Sequence, residues 1–137
     1  MDTERTFAPE TTAEARERYD RLGPAAQVVV TETARAMGFD TGEYDRRVTG
    51  EVVEAARDAL FASTLAVRVG TRAEYEAWLA ETAHDVYEAG SEHLDNVVWH
   101  APPFADKAVA ATFQDERRAA VETLRRQAFG RVYREVL

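Results

Sequence analysis

The stretch from Asp95 to Leu137 constrains the fold more than any other part of the chain. In Asp95-Asn96-Val97-Val98-Trp99-His100, the residues Val97, Trp99 and Ala101 point one way and Val98 and His100 the other. In Lys107-Ala108-Val109-Ala110-Ala111-Thr112-Phe113, Val109, Ala111 and Phe113 oppose Ala108, Ala110 and Thr112. Period-two alternation with β-branched and aromatic residues predicts two strands. Pro102 and Pro103 cannot donate to a ladder, so the first strand ends before them and Ala-Pro-Pro-Phe-Ala-Asp closes a hairpin.

A helix follows, with Asp115 expected at its N-cap. Val121, Leu124, Ala128, Val132 and Val136 recur every three or four residues, and Phe129 and Tyr133 widen the stripe. Gly130 is expected to kink or end it. Arg125 projects into the apolar arc. An unpaired guanidinium there would cost several kcal/mol, so it should reach solvent or meet a carboxylate, a bound anion or an aromatic face such as Trp99.

Read in order, residues 1–11 are expected as a loose arm in which Phe7 docks. A short helix over Ala13–Leu22 should break at Gly23-Pro24, and a second, buried helix should run from Ala25 to Met37. A turn of helix over Tyr44–Val48 precedes another helix begun by Thr49-Gly50. Leu65–Val69 alternates as a strand. Thr71-Arg72-Ala73-Glu74 is a capping box for the helix carrying Tyr75, Trp78 and Leu79, and Asp85–Ala89 is a third strand. The chain is thus one α+β domain over residues 1–137. N-terminal helices lead into β-α-β-β-β-α, with a mostly antiparallel sheet of about four strands and a long C-terminal helix. The last three strands should form a meander with both later helices on one face. The other face would show Ala66, Arg68, Val98, His100, Ala110 and Thr112, to be covered by the N-terminal helices or by a second copy of the chain.

Acids outnumber bases by 25 to 17, giving a net charge of −8, and Lys107 is the only lysine. Acidic excess with arginine as nearly the sole base fits a salt-rich cytoplasm, where high ionic strength screens carboxylate repulsion. Such acidity argues mildly against nucleic acid. The absence of cysteine excludes disulfides and thiolate metal sites. No apolar run is long enough to span a membrane, and the expected setting is cytoplasmic.

Few residues carry chemistry. His84, His93 and His100, with Glu92 or Asp95, are ordinary metal-ligand types, but no two histidines have a spacing that prearranges them, so no metal or other cofactor is expected. There is no nucleophile elbow and no phosphate-cradling glycine loop. The candidate ligand or partner residues are His100, Trp99, Arg68 and Arg125, and none is assigned a catalytic role. The leading expectation is a non-catalytic binding or assembly module. An enzyme using His100, Arg68 and a carboxylate is the alternative. The α-β-β-β-α order of residues 71–137 also matches double-stranded RNA-binding domains, but Asp115-Glu116 stands ahead of Arg117-Arg118 where those domains place lysines.

Five segments carry a likeness to a known family. They are Gly23-Pro24-Ala25-Ala26-Gln27, Ala36-Met37-Gly38-Phe39-Asp40, Ala56-Arg57-Asp58-Ala59-Leu60-Phe61-Ala62-Ser63, Val97-Val98-Trp99-His100-Ala101-Pro102-Pro103-Phe104 and Leu124-Arg125-Arg126-Gln127-Ala128-Phe129-Gly130-Arg131. Through them the chain resembles a family of small haloarchaeal proteins of uncharacterised function. The resemblance implies a haloarchaeal source and a complete single-domain protein. It implies no activity, cofactor or catalytic residue.

Overall fold

A computed structural model describes residues 1–137. Strand β1 (Asp2–Glu4) is followed by helices α1 (Thr12–Ala36), α2 (Thr41–Arg47) and α3 (Gly50–Ser63). Then come β2 (Val67–Thr71), α4 (Arg72–Glu81), β3 (Asp85–Ala89), β4 (Asn96–His100), β5 (Lys107–Phe113) and α5 (Arg117–Ala128). The class is α+β, with five strands rather than about four. Side-chain caps start four of the helices: Thr11, Asp40, Thr49 and Thr71 each accept a bond from the backbone three residues on. The capping box at Thr71 and Glu74 forms in both directions.

Three expectations about the N-terminal part give way. Residues 2–4 are an edge strand, not a loose arm: Arg117 of α5 reaches Asp2 (3.0 Å) and Glu4 (2.8 Å) and holds β1 against β2. Phe7 does dock, 5.9 Å from Phe61 and edge-on to it. Gly23-Pro24 does not break the helix, and α1 runs straight through it. Proline removes one ladder donor there and leaves the Asp20 carbonyl without its bond, while Arg57 of α3 braces the same turn by donating to the Tyr19 carbonyl (2.8 Å) and the Asp20 carboxylate (3.3 Å). That guanidinium lies alongside Gly23, 3.5 Å from where a Cβ would be, an ordinary contact distance. Nor is the second half of α1 buried all round. Ala26, Val30 and Ala34 face α3, but Val28 and Val29 are exposed.

The sheet order is β1-β2-β4-β5-β3. The last three strands are therefore no meander: β4 and β5 form the expected antiparallel hairpin, but β3 lies outside β5 and parallel to it. Gly90 makes this route possible. At φ +105° it turns the chain over the end of β5, so close that a Cβ would meet the Thr112 hydroxyl at 2.0 Å. Thr112 then accepts a bond from the Ser91 backbone. Alternation reveals which residues share a face, not which strand lies beside which.

Register settles the faces. Val69 pairs with Val98, Val98 with Ala111 and His100 with Val109, so these residues look toward α5. Arg68 pairs with Trp99 and Trp99 with Ala110, so these look toward α4. The grouping of Arg68, Ala110 and Thr112 with Val98 and His100 is corrected: they occupy opposite faces. So do the two later helices. On the α5 side, α1, α3 and α5 enclose a core that includes Phe61, Leu65, Val67, Val98, Leu124, Phe129 and Tyr133. On the α4 side the buried cluster is the small set Tyr75, Val97, Trp99 and Ala110, beneath one ten-residue helix.

Helix α5 begins after Glu116, not Asp115, and no side chain caps it. At Phe129 its winding loosens into a π turn over Phe129–Tyr133 that includes Gly130, where a kink or stop was expected.

Candidate functional site: a sealed histidine and an arginine corner

His100 closes β4 with its side chain in the larger core, 2% exposed. Its Nδ1 lies 2.5 Å from the Ala66 carbonyl and its Nε2 2.7 Å from the Tyr133 hydroxyl. A carbonyl can only accept, so Nδ1 carries the proton and Nε2 accepts from Tyr133. Burial pushes the His100 pKa from 6.5 down to about 4; the Ala66 bond opposes the shift, and Arg125 and His84 add to it. Burial also pushes the Tyr133 phenol upward. Both groups are neutral and mutually satisfied. The wider π turn brings Tyr133 under the sheet, and Phe61 (5.1 Å) and Phe104 (5.4 Å) pack against its ring.

Trp99 takes the opposite face, 5.3 Å from Tyr75 and 5.7 Å from Trp78. Arg68 is exposed across the strand pair from Trp99. Arg68, Trp99 and His100 do border one depression of about 280 Å³ with Arg5, but no carboxylate lines it. The catalytic grouping of His100, Arg68 and an acid is thus not assembled. Nor do the histidines converge: His84 donates from Nε2 to the Pro102 carbonyl (3.0 Å) and accepts from Thr82 at Nδ1 (2.9 Å). No three His, Asp or Glu side chains stand together as a metal ligand set.

Arg125 finds a partner of a kind not foreseen. It meets neither a carboxylate nor Trp99. Its Nε donates to the Leu65 carbonyl (3.0 Å) and its terminal nitrogen to that of Glu4 (3.4 Å), tying α5 to the strand ends. Burial lowers its pKa, Glu4 opposes the change, and the charge of Arg5 adds to the lowering.

Around Arg125 opens a depression of about 650 Å³ that contains Arg5, Arg117 and Arg118, with Glu4 and Glu122 as its acids and Val121 as its one apolar wall. Glu4 is already committed to Arg117. Arg5 and Arg118 have no carboxylate within ion-pair distance. Arg5 also holds a left-handed backbone at φ +63°, uncommon for a side chain of its size. Sequence reasoning missed Arg5, Arg117, Arg118 and the tie to Tyr133. A signal for two of the four arginines was present: Arg117 and Arg118 crowd the start of a helix, where the backbone dipole disfavours cations.

A family model described as Family of unknown function (DUF5809) matches residues 6–134. The chain belongs to that family. The matched region includes His100, Tyr133, Arg68, Trp99 and three of the corner arginines, and excludes β1 and Arg5. Neither a curated protein nor a solved structure matches the chain.

Proposed function

We propose that the protein is a non-catalytic binding module that presents the arginine corner to anionic groups of a partner. The supporting observation is that Arg5 and Arg118 stand unpaired beside Arg117 and Arg125 in a chain where acids exceed bases by 25 to 17. Mutual repulsion among these guanidiniums is relieved when carboxylate or phosphate oxygens enter between them, and arginine binds both in a planar fork. Partly enclosed pairs are also screened less by salt than exposed ones, which suits the salt-rich setting proposed for the chain.

His100 supports the same reading. A general acid or base must reach its substrate, and both ring nitrogens of His100 are occupied inside the core. The consecutive β-meander on which the RNA analogy rests is replaced by the order β4-β5-β3.

Calorimetric titration with pyrophosphate and with hexaglutamate tests the proposal. At least one should bind. Replacing Arg5→Asn with Arg118→Gln should weaken it by about tenfold or more, the loss expected for charge-assisted hydrogen bonds. Arg46→Gln on α2 should change nothing. Equal affinity in the double variant, or binding by neither anion, would remove the corner from consideration. Asparagine suits position 5 because it tolerates the left-handed backbone.

A further inference from the structure

A separate depression of about 500 Å³ lies between β3, β5 and the π turn, within the size range of small-molecule sites. We propose that it binds a small organic carboxylate, with the anionic end on Arg131 and the apolar body against Val109 and Val132.

Three observations carry this. The first is the state of Arg131. Its guanidinium stacks on the exposed Tyr87 ring, 3.4 Å from the centroid, and makes no hydrogen bond or ion pair. Stacking occupies only the face of the planar group and leaves the N–H donors at its edge free. The fork is therefore already held in place, and little freedom is lost when a carboxylate meets it.

The second is the distribution of charge. Lys107 also borders the depression, but its ammonium is engaged by Glu135 at 2.9 Å. Asp85, paired across the strands with Lys107, has no hydrogen-bonded partner for its carboxylate. Arg131 is thus the free cation, and Asp85 repels an anion from the other end. The ligand's orientation follows.

The third is Gly130. It lines the depression within a helical stretch, where glycine is unfavourable against alanine. Glycine usually serves a positive φ or a close approach. Gly130 has neither, for its φ is ordinary and no atom lies within 4 Å of where a Cβ would be. What its missing side chain provides is open space beside Arg131, above the floor formed by the buried Val109 and Val132.

Phenylacetate and hexanoate should be titrated while backbone amide shifts are followed by NMR, with 2-phenylethanol as the uncharged analogue. The carboxylates should shift Tyr87, Val109 and Arg131 saturably. The alcohol should bind at least about tenfold more weakly, as should phenylacetate to Arg131→Gln. Gly130→Phe should fill the space and abolish binding. If that variant does not fold, Arg131→Gln, at an exposed position, and the alcohol still decide the matter. Three results would overturn the proposal: no saturable shift with either carboxylate, equal binding of the alcohol, or shifts confined to Arg117 and Arg118. The last would assign the carboxylate to the arginine corner instead.

Discussion

The two faces of one sheet treat buried polar groups in opposite ways. Beneath α5, the His100 ring has both nitrogens bonded and Tyr133 donates its hydroxyl, all inside the larger core. Beneath α4, the Tyr75 hydroxyl and the Trp99 Nε1 are buried without a hydrogen-bond partner. Burial raises the pKa of the Tyr75 hydroxyl, and the nearby Glu88 carboxylate adds to the effect, yet no acceptor lies within hydrogen-bond distance of the hydroxyl. A buried donor without an acceptor forfeits its water and gains nothing in return. The inner face of α4 is held by aromatic contact, with polar ties only at its start, where Arg72 donates to the Ser91 and Leu94 carbonyls. The α5 layer adds the closed His100–Tyr133 pair, its one buried unpartnered atom being the Gln127 Oε1. Stability should be distributed accordingly, with α4 the element that opens first.

The largest test compares one deletion on the two faces. Leu124→Ala, in the full core, should cost about 4 kcal/mol in urea denaturation, whereas Leu79→Ala, half-buried under α4, should cost about 1 kcal/mol. Similar losses would break the comparison.

Acid provides the second test. The folded pKa of His100 lies below its unfolded value, so between the two the unfolded chain binds the extra proton. Stability from this group is complete above about pH 6.5 and declines as pH falls to about 4. The difference corresponds to about 3 kcal/mol. Unfolding free energy should therefore fall more steeply over that window in the native chain than in His100→Gln. Parallel curves would show that the ring is not sealed.

The smallest effect sharpens the contrast most. Tyr133→Phe should cost about 1–2 kcal/mol because it leaves the His100 Nε2 buried and unpaired. The same chemical change at Tyr75 removes a hydroxyl that has no partner, so Tyr75→Phe should be neutral or slightly stabilising in thermal melts. A loss at Tyr75 equal to that at Tyr133 would mean that the Tyr75 hydroxyl donates a hydrogen bond to Glu88 in solution.

Much of the fold was legible where local chemistry decides it. The Thr71 capping box, the helix start at Thr49, the hairpin of β4 and β5 and the stripe through Val121, Leu124, Ala128 and Val132 each follow from neighbouring residues. What escaped depends on distant partners. Asp2-Thr3-Glu4 has no apolar pattern, and Arg117 makes it a strand. Pro24 stays helical within a helix packed along α3, where Arg57, far along the chain, braces the preceding turn at Tyr19 and Asp20. Of the site, the sequence singles out Trp99, His100, Arg68 and Arg125, but their surroundings were not legible. Arg125 ended on carbonyls of two separate strand ends, which no spacing within α5 can encode.

The position of β3 bears on how the chain is made. It is synthesised before β5, and β5 is the only strand it pairs with. A chain leaving the ribosome in order must therefore carry β3 unpaired until Lys107–Phe113 has followed. An orphan strand in that interval is open to pairing with the wrong edge, on its own molecule or another. Asp85 and Glu88 within the strand act as guards during the wait, since charge on a strand discourages association between copies. The same two acids cost little later, when β3 becomes an outer edge with water beside it.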